Sequence, residues 1–157
     1  MSTEKKAIKY LTFGSPLMDM IVDVDSDFVN RNNLKLDTTI HGNSESGVFR
    51  EARLYNPKYI AGGCSYNAIR VLNWMLPSDE RNSVACLGSV GEDEDGVRYR
   101  NLLNEESIIP LFETFKGKET GKCAVVCLNR ERTHITDLGA STLISDEFVE
   151  ENWETIK

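Results

Sequence analysis

Two short segments carry the residue types best suited to chemistry. In Phe13-Gly14-Ser15-Pro16-Leu17-Met18-Asp19, a carboxylate follows an apolar run and a Gly-Ser-Pro elbow. An aspartate so placed lies at the C-terminal edge of a core strand, where open α/β sheets bind ligands. It can accept hydrogen bonds from two vicinal hydroxyls, each worth ~1.5–3 kcal/mol with a charged acceptor. In Ala61-Gly62-Gly63-Cys64-Ser65-Tyr66-Asn67, two glycines separate a strand-like run from a helix-like one. Glycines there let a ligand approach the backbone. The helix start offers free N–H groups, and the Asn67 amide both donates and accepts. Together these groups suit a polyhydroxylated ligand such as a sugar. A solvated turn aspartate and a plain capped β–α turn are the structural alternatives.

Three other patterns do not carry chemistry. Gly117-Lys118-Glu119-Thr120-Gly121-Lys122-Cys123 has the wrong glycine spacing for a P-loop, and cysteine stands where the metal-binding hydroxyl belongs. It reads as a hairpin turn. Asp23-Val24-Asp25-Ser26-Asp27 resembles the start of a calcium loop, but Phe28 and Leu34 occupy the positions that need Gly and Glu. Cys123 and Cys127 share a strand face, yet no histidine or second cysteine pair completes a zinc site. His41 and His134, the only histidines, have no nearby serine or cysteine partner and are candidates for lining a ligand pocket.

Composition narrows the classes. The 157-residue chain is 40% hydrophobic and 27% charged, with net charge −7. That length supports a real core. The acidic balance argues against nucleic acid, which needs a basic stripe. No apolar run approaches the ~20 residues of a membrane span, and the N-terminus lacks a signal-peptide apolar stretch, so a cytoplasmic location is expected. The four cysteines lack paired spacing and read as reduced thiols.

The positioning elements follow from periodicity. Strands are predicted over Ile8 to Phe13, Met20 to Val24, Thr38 to His41, Lys58 to Ala61 and Val84 to Leu87. Ser26 and Asp27 are predicted to cap a short helix reaching Asn32, and Ser44 to Tyr55 reads as helical. A helix after Gly63 carries Ala68, Val71, Leu72, Met75 and Leu76 at core-stripe spacing and stops at Pro77. Asp93 to Asn104 is a second helix, with acids against its positive end. Leu111 to Phe115, Cys123 to Leu128 and Arg132 to Leu138 read as three successive strands joined by hairpins, with Met20 to Val24 as their natural partner. Asp146 to Lys157 reads as a final helix. A βαβα start implies a parallel α/β sheet, with the later strands forming a flap.

These motifs together resemble the ribokinase-like carbohydrate kinases, and within them the adenosine kinases. FGSPLMDMIVDVDSDFVNRNNL is similar to the family's first strand and its crossing into a lid, AGGCSYNAIRVLNWML to its di-glycine signature, ACLGSVGEDEDG to its next strand and glycine turn, and TGKCAVVCLNRERTHITDLGAS to its lid hairpin. The resemblance implies a Rossmann-type three-layer α/β sandwich, present in part over residues 1–157. It also implies a small β lid, with strands roughly within 17–41 and 111–138. The implied activity is phosphorylation of the adenosine 5′-hydroxyl by ATP with Mg²⁺, in purine salvage, by a protein that is a monomer when intact.

Site roles implied by the same resemblance are specific. Asp19 matches the aspartate on the ribose hydroxyls, Gly63 (with Gly62 beside it) the glycine N–H on the ribose, and Asn67 the ribose-binding asparagine. Leu17, Thr39, His41, Cys123, His134 and Thr136 fall around the purine, and Arg132 matches the lid arginine that approaches the transferred phosphate. Ser15 stands where the family has asparagine, and His41 and His134 where more apolar contacts are expected. No Gly-Ala-Gly-Asp segment, the family's anion hole and base, occurs in the chain. The expectation is therefore an N-terminal portion that lacks the catalytic base and most of the ATP site. Kinases for other nucleosides or sugars, and a product that only binds nucleoside, are the alternatives.

Overall fold

The computed structural model describes residues 7–42 and 47–157. Two sheets share one chain. The first is parallel and has three strands, in the order β1 (Tyr10–Phe13), β5 (Val84–Gly91), β6 (Ile109–Phe115). All eight residues of β5 are buried, as expected for a strand covered on both faces. On one side lie α3 (Cys64–Met75) and α4 (Glu94–Glu105), which enclose Val84, Cys86 and Val90 together with Tyr66, Tyr99 and Phe112. The opposite side of β5 meets a short 3-10 turn at Gly139–Thr142, where the Ser89 hydroxyl donates to the Ala140 carbonyl at 2.7 Å.

The second sheet is mixed and has five strands, in the order β3 (Thr39–His41), β8 (Glu131–Asp137), β7 (Lys122–Leu128), β2 (Leu17–Asp23), β4 (Lys58–Gly62). One face is dry. Met20, Val22, Ala124, Val126 and Ile135 pack on Phe28 of α1 (Ser26–Arg31) and on Val48, Phe49 and Ala52 of α2 (Gly47–Ala52). Met18 of β2 and Ala61 of β4 instead join the main core, so these two strands tie the mixed sheet to the core of the parallel one. α5 (Asp146–Glu151) and α6 (Trp153–Ile156) end the chain.

Several expectations are corrected. β6 pairs with β5 and belongs to the parallel sheet, so 117–121 is a crossing between sheets and not a hairpin. The Asp93 carboxylate secures that crossing by accepting from the Thr120 N–H at 2.8 Å and its hydroxyl at 2.5 Å, while also capping α4 through the Gly96 N–H. The second connection is a two-residue hairpin, with Asn129 and Arg130 both at positive φ as tight hairpin turns require. β4 lies antiparallel to β2 in the mixed sheet, outside the parallel one. Asp25, not Ser26 or Asp27, caps α1 by accepting from the Phe28 N–H at 2.7 Å. The 44–55 helix is α2 followed by a 3-10 turn at Arg53–Tyr55, and its residues 44–46 lie outside the described ones.

The buried face of α3 also differs from the apolar stripe. Ala68, Val71 and Met75 are exposed, whereas Tyr66, Ile69 and Asn73 are buried. The two polar members are buried where each finds a backbone carbonyl to donate to, although among the described residues Asn73 Oδ1 has no partner. The Tyr66 hydroxyl lies 2.9 Å from the Leu87 carbonyl, and the Asn73 amide donates to the Glu106 carbonyl at 2.7 Å. Hydrophobicity alone cannot register such partners.

Candidate functional site

Strand register gathers most of the candidate residues on the mixed sheet's other face. Side chains alternate along a strand, and Met18, Met20 and Val22 point into the core, so Leu17, Asp19 and Ile21 point away from it. Pairing then aligns Ile60, Asp19, Cys123, Thr136 and His41 as one row across β4, β2, β7, β8 and β3. The next row is Lys58, Ile21, Val125, His134 and Thr39. Leu17 is opposite Gly62 at the head of the face. Thr39 and His41 are exposed, His134 and Thr136 partly so.

The head of this face is closely built. A Cβ added at Gly62 would fall inside the Asp19 carboxylate, so only glycine admits that side chain. Gly63 adopts φ +101°, and a Cβ there would meet the Ser15 carbonyl, which explains the second glycine. The turn's carbonyls are engaged: Arg70 Nη1 donates to Ala61 O at 2.9 Å, and the Tyr99 hydroxyl to Gly62 O at 2.6 Å. Gly63 O accepts from the Asn67 N–H at 2.9 Å, which starts α3 and leaves the Asn67 side chain exposed beside the turn.

Electrostatics single out Asp19. Burial pushes its carboxyl up to about 6, and the neighbouring Arg70 guanidinium pulls the other way. Cys123 is pushed up to about 11 by burial, partly offset by the Thr136 hydroxyl, which lies 3.5 Å from its sulfur. It therefore presents a neutral thiol at ordinary pH, a small hydrophobe and not a nucleophile. Among the described residues all four cysteines are free.

Arg132 stands apart from this cluster. It is exposed near the β7–β8 hairpin tip, level with Cys127 and Asp23. Four residues of β8 separate it from Thr136, about 13 Å of strand. A ligand meeting both Asp19 and Arg132 must run along the strands. Arg70, Tyr99 and Tyr66 were not singled out from the sequence. The available signal was polar groups recurring on α3 near Asn67, with Arg70 three residues on and so on the same helix side.

The family model of the pfkB family carbohydrate kinases matches residues 32–157. The adenosine kinase of Dictyostelium discoideum is 30% identical over 135 residues, which is 85% of this chain and 39% of that protein. That of Saccharomyces cerevisiae is 26% identical over 153 residues, 94% of this chain and 44% of that protein. The structure of Trypanosoma brucei brucei adenosine kinase superposes with TM-score 0.84 at 27% identity, covering 92% of this chain and 44% of the other. Adenosine kinase from Schistosoma mansoni, solved in complex with tubercidin, gives TM-score 0.80 at 25% identity over 97% of this chain and 45% of its own. The chain thus spans about two fifths of the length of these relatives. With a family model over most of its length, and with its sheets laid out as in the adenosine kinase structures, the chain belongs to the pfkB family of carbohydrate kinases.

Proposed function

We propose that this chain is the nucleoside-holding portion of an adenosine kinase, which transfers the γ-phosphoryl of ATP to the 5′-hydroxyl of adenosine, giving AMP and ADP. The observation that carries the reading is the half-buried Asp19 carboxylate lodged on Gly62, at the head of a sheet face otherwise lined by Leu17, Cys123, Thr136 and His41. In this reading Asp19 accepts from the two ribose hydroxyls. Gly63, beside Gly62, offers its N–H to the ribose, and Asn67 completes the sugar contacts. Leu17, Cys123 and Thr136 pack the purine, with Thr39, His41 and His134 along its outer rim. Arg132 meets the transferred phosphate, for which a planar guanidinium is suited.

The family implies ATP and Mg²⁺. Among the described residues no group of three or more His, Cys, Asp or Glu could hold a metal ion, so the residues described do not form its site. The catalytic base is likewise outside this sequence, which has no Gly-Ala-Gly-Asp element. What these residues supply is orientation of the acceptor, a large part of phosphoryl-transfer catalysis.

Calorimetry of the chain with adenosine, adenine and ribose tests the reading. Saturable adenosine binding is expected, weakened at least about tenfold (1.4 kcal/mol) by Asp19→Asn. Equal binding of adenine and adenosine, or adenosine binding indifferent to Asp19→Asn, would count against it. A guanosine, inosine and cytidine panel decides between adenosine and another nucleoside.

A further inference from the structure

We propose that Arg70 is a positioning residue for the nucleoside site, fixing the Ala61-Gly62-Gly63 turn beside Asp19 through the Ala61 carbonyl, with Glu106 as its anchor. The inference rests on the nucleoside reading of Asp19 and assigns work to residues outside it. Arg70 leaves α3 three residues after Asn67, and both line a groove with Val71, Trp74 and Glu106. Its guanidinium is used on two sides. Nε and Nη2 grip the Glu106 carboxylate at 2.7 and 2.5 Å, and Nη1 donates to the Ala61 carbonyl at 2.9 Å. Glu106 is held in turn, because its backbone carbonyl accepts from the buried Asn73 amide at 2.7 Å. The result is a rigid fork from the end of α4, through α3, to the last carbonyl before the di-glycine turn. A forked cation fits this task, since lysine offers a single point of charge.

Charge supports the same assignment. Around Asp19 the titratable groups are Arg70 from α3, Tyr99 from α4 and Cys123 from β7. Glu106 acts through Arg70, and β4 presents Lys58 two residues along the same face. Both Tyr99 and Cys123 are pushed up by burial and stay neutral. That leaves Arg70 as the cation opposing the burial of Asp19. The fork therefore favours the ionised carboxylate, the form that accepts from two hydroxyls at once.

The experiment follows the Asp19 side-chain carboxyl of the full 157-residue chain by carbon NMR through a pH titration without ligand, with Asp19→Asn identifying the resonance. Arg70→Met should move the midpoint upward by about half a pH unit or more, because the opposing cation is gone. Mere loosening would admit water and move it down, toward 3.8, so an unchanged or lowered midpoint overturns the proposal. Glu106→Gln keeps an acceptor for the fork but frees the Arg70 charge, and should lower the midpoint. It decides the matter if Arg70→Met does not fold, and no movement there also overturns the proposal. Arg70→Lys should restore the midpoint while leaving the Gly62 and Gly63 amides exchanging faster than in the parent chain. Unchanged exchange overturns the carbonyl role. Adenosine is added last: an Asp19 resonance that ignores it while the ligand-free shifts hold refutes the nucleoside reading alone.

Discussion

Asp19 is expensive as an ion. Its carboxyl is pushed from 3.8 to about 6 by burial, the reverse of the usual depressed aspartate. The folded state therefore binds the proton more tightly than the unfolded one, and stability from this group is fully present below pH 3.8 and lost as pH rises through 6. At neutral pH Asp19→Asn should then stabilise the chain by about 1–2 kcal/mol, after discounting for partial solvent screening. Differential scanning calorimetry should read a Tm rise of roughly 2–8 °C, and a fall would contradict the burial argument. The same substitution should weaken adenosine binding, a stability–function trade at one residue. Adenosine affinity should also decline as pH drops through about 6, which calorimetry at pH 5 and 7.5 checks. At the far end of the face, Arg132→Ala in a catalytically complete form should lower kcat more than it raises KM, because its charge is used during transfer. An unchanged kcat would remove Arg132 from that role.

Among the elements, the joints matter more than the strands. Gly62 closes β4 with no room for a Cβ beside Asp19, so Gly62→Ala should cost about 1–3 kcal/mol as overpacking and reduce adenosine binding. Urea unfolding and calorimetry measure the two losses, and a fully stable variant with normal binding would show the approach to be slack. The α4 N-terminus is a second joint. Asp93 caps α4 and also holds Thr120, whose hydroxyl lies 3.0 Å from the Gly91 N–H. Loss of the cap costs about 1 kcal/mol, and each bond to a charged acceptor about 1.5–3. Bonds that share one carboxylate are not additive, so Asp93→Ala should destabilise by about 2–4 kcal/mol and loosen the crossing from β6 to β7. Hydrogen exchange at Gly91, Gly96 and Thr120 would report it, and protection equal to the parent chain would sink the idea.

For the whole molecule, β1 forms one edge of the parallel sheet and among the described residues is paired on one side only, by β5. Phe13 on that strand is 60% exposed, and Val71 and Trp74 of α3 are exposed as well. An apolar strand edge promotes self-association. Light scattering should show mass rising with concentration, and Phe13→Lys should suppress the rise. A monodisperse parent chain would contradict this. The chain alone should not phosphorylate adenosine, since a missing base costs ~10²–10⁴ in rate and missing donors at the developing charge cost more. Coupled ADP detection with adenosine, ATP and Mg²⁺ is the check. Turnover abolished by Asp19→Asn would overturn the expectation.

Local chemistry was enough to mark the Asp19 elbow, the di-glycine turn and Asn67, because glycine, proline and a strand-end carboxylate constrain the backbone within a few residues. It also placed nearly every strand and helix, through side-chain periodicity. The partnerships of those elements were not legible. That β6 joins β5 while β7 crosses to β2 is a matter of distant pairings, and an Asp93–Thr120 tether across 27 residues secures the crossing. The buried face of α3 was misread because Tyr66 and Asn73 become core residues only once Leu87 and Glu106 supply their hydrogen bonds. The same holds for Arg70, a surface-type residue in sequence that gains its role from Glu106, 36 residues away. Sequence determined which groups were available and where the backbone could bend. Only tertiary structure decided which carboxylate lies in a dry place beside which cation, because burial and pairing are properties of neighbours that the chain brings in from a distance.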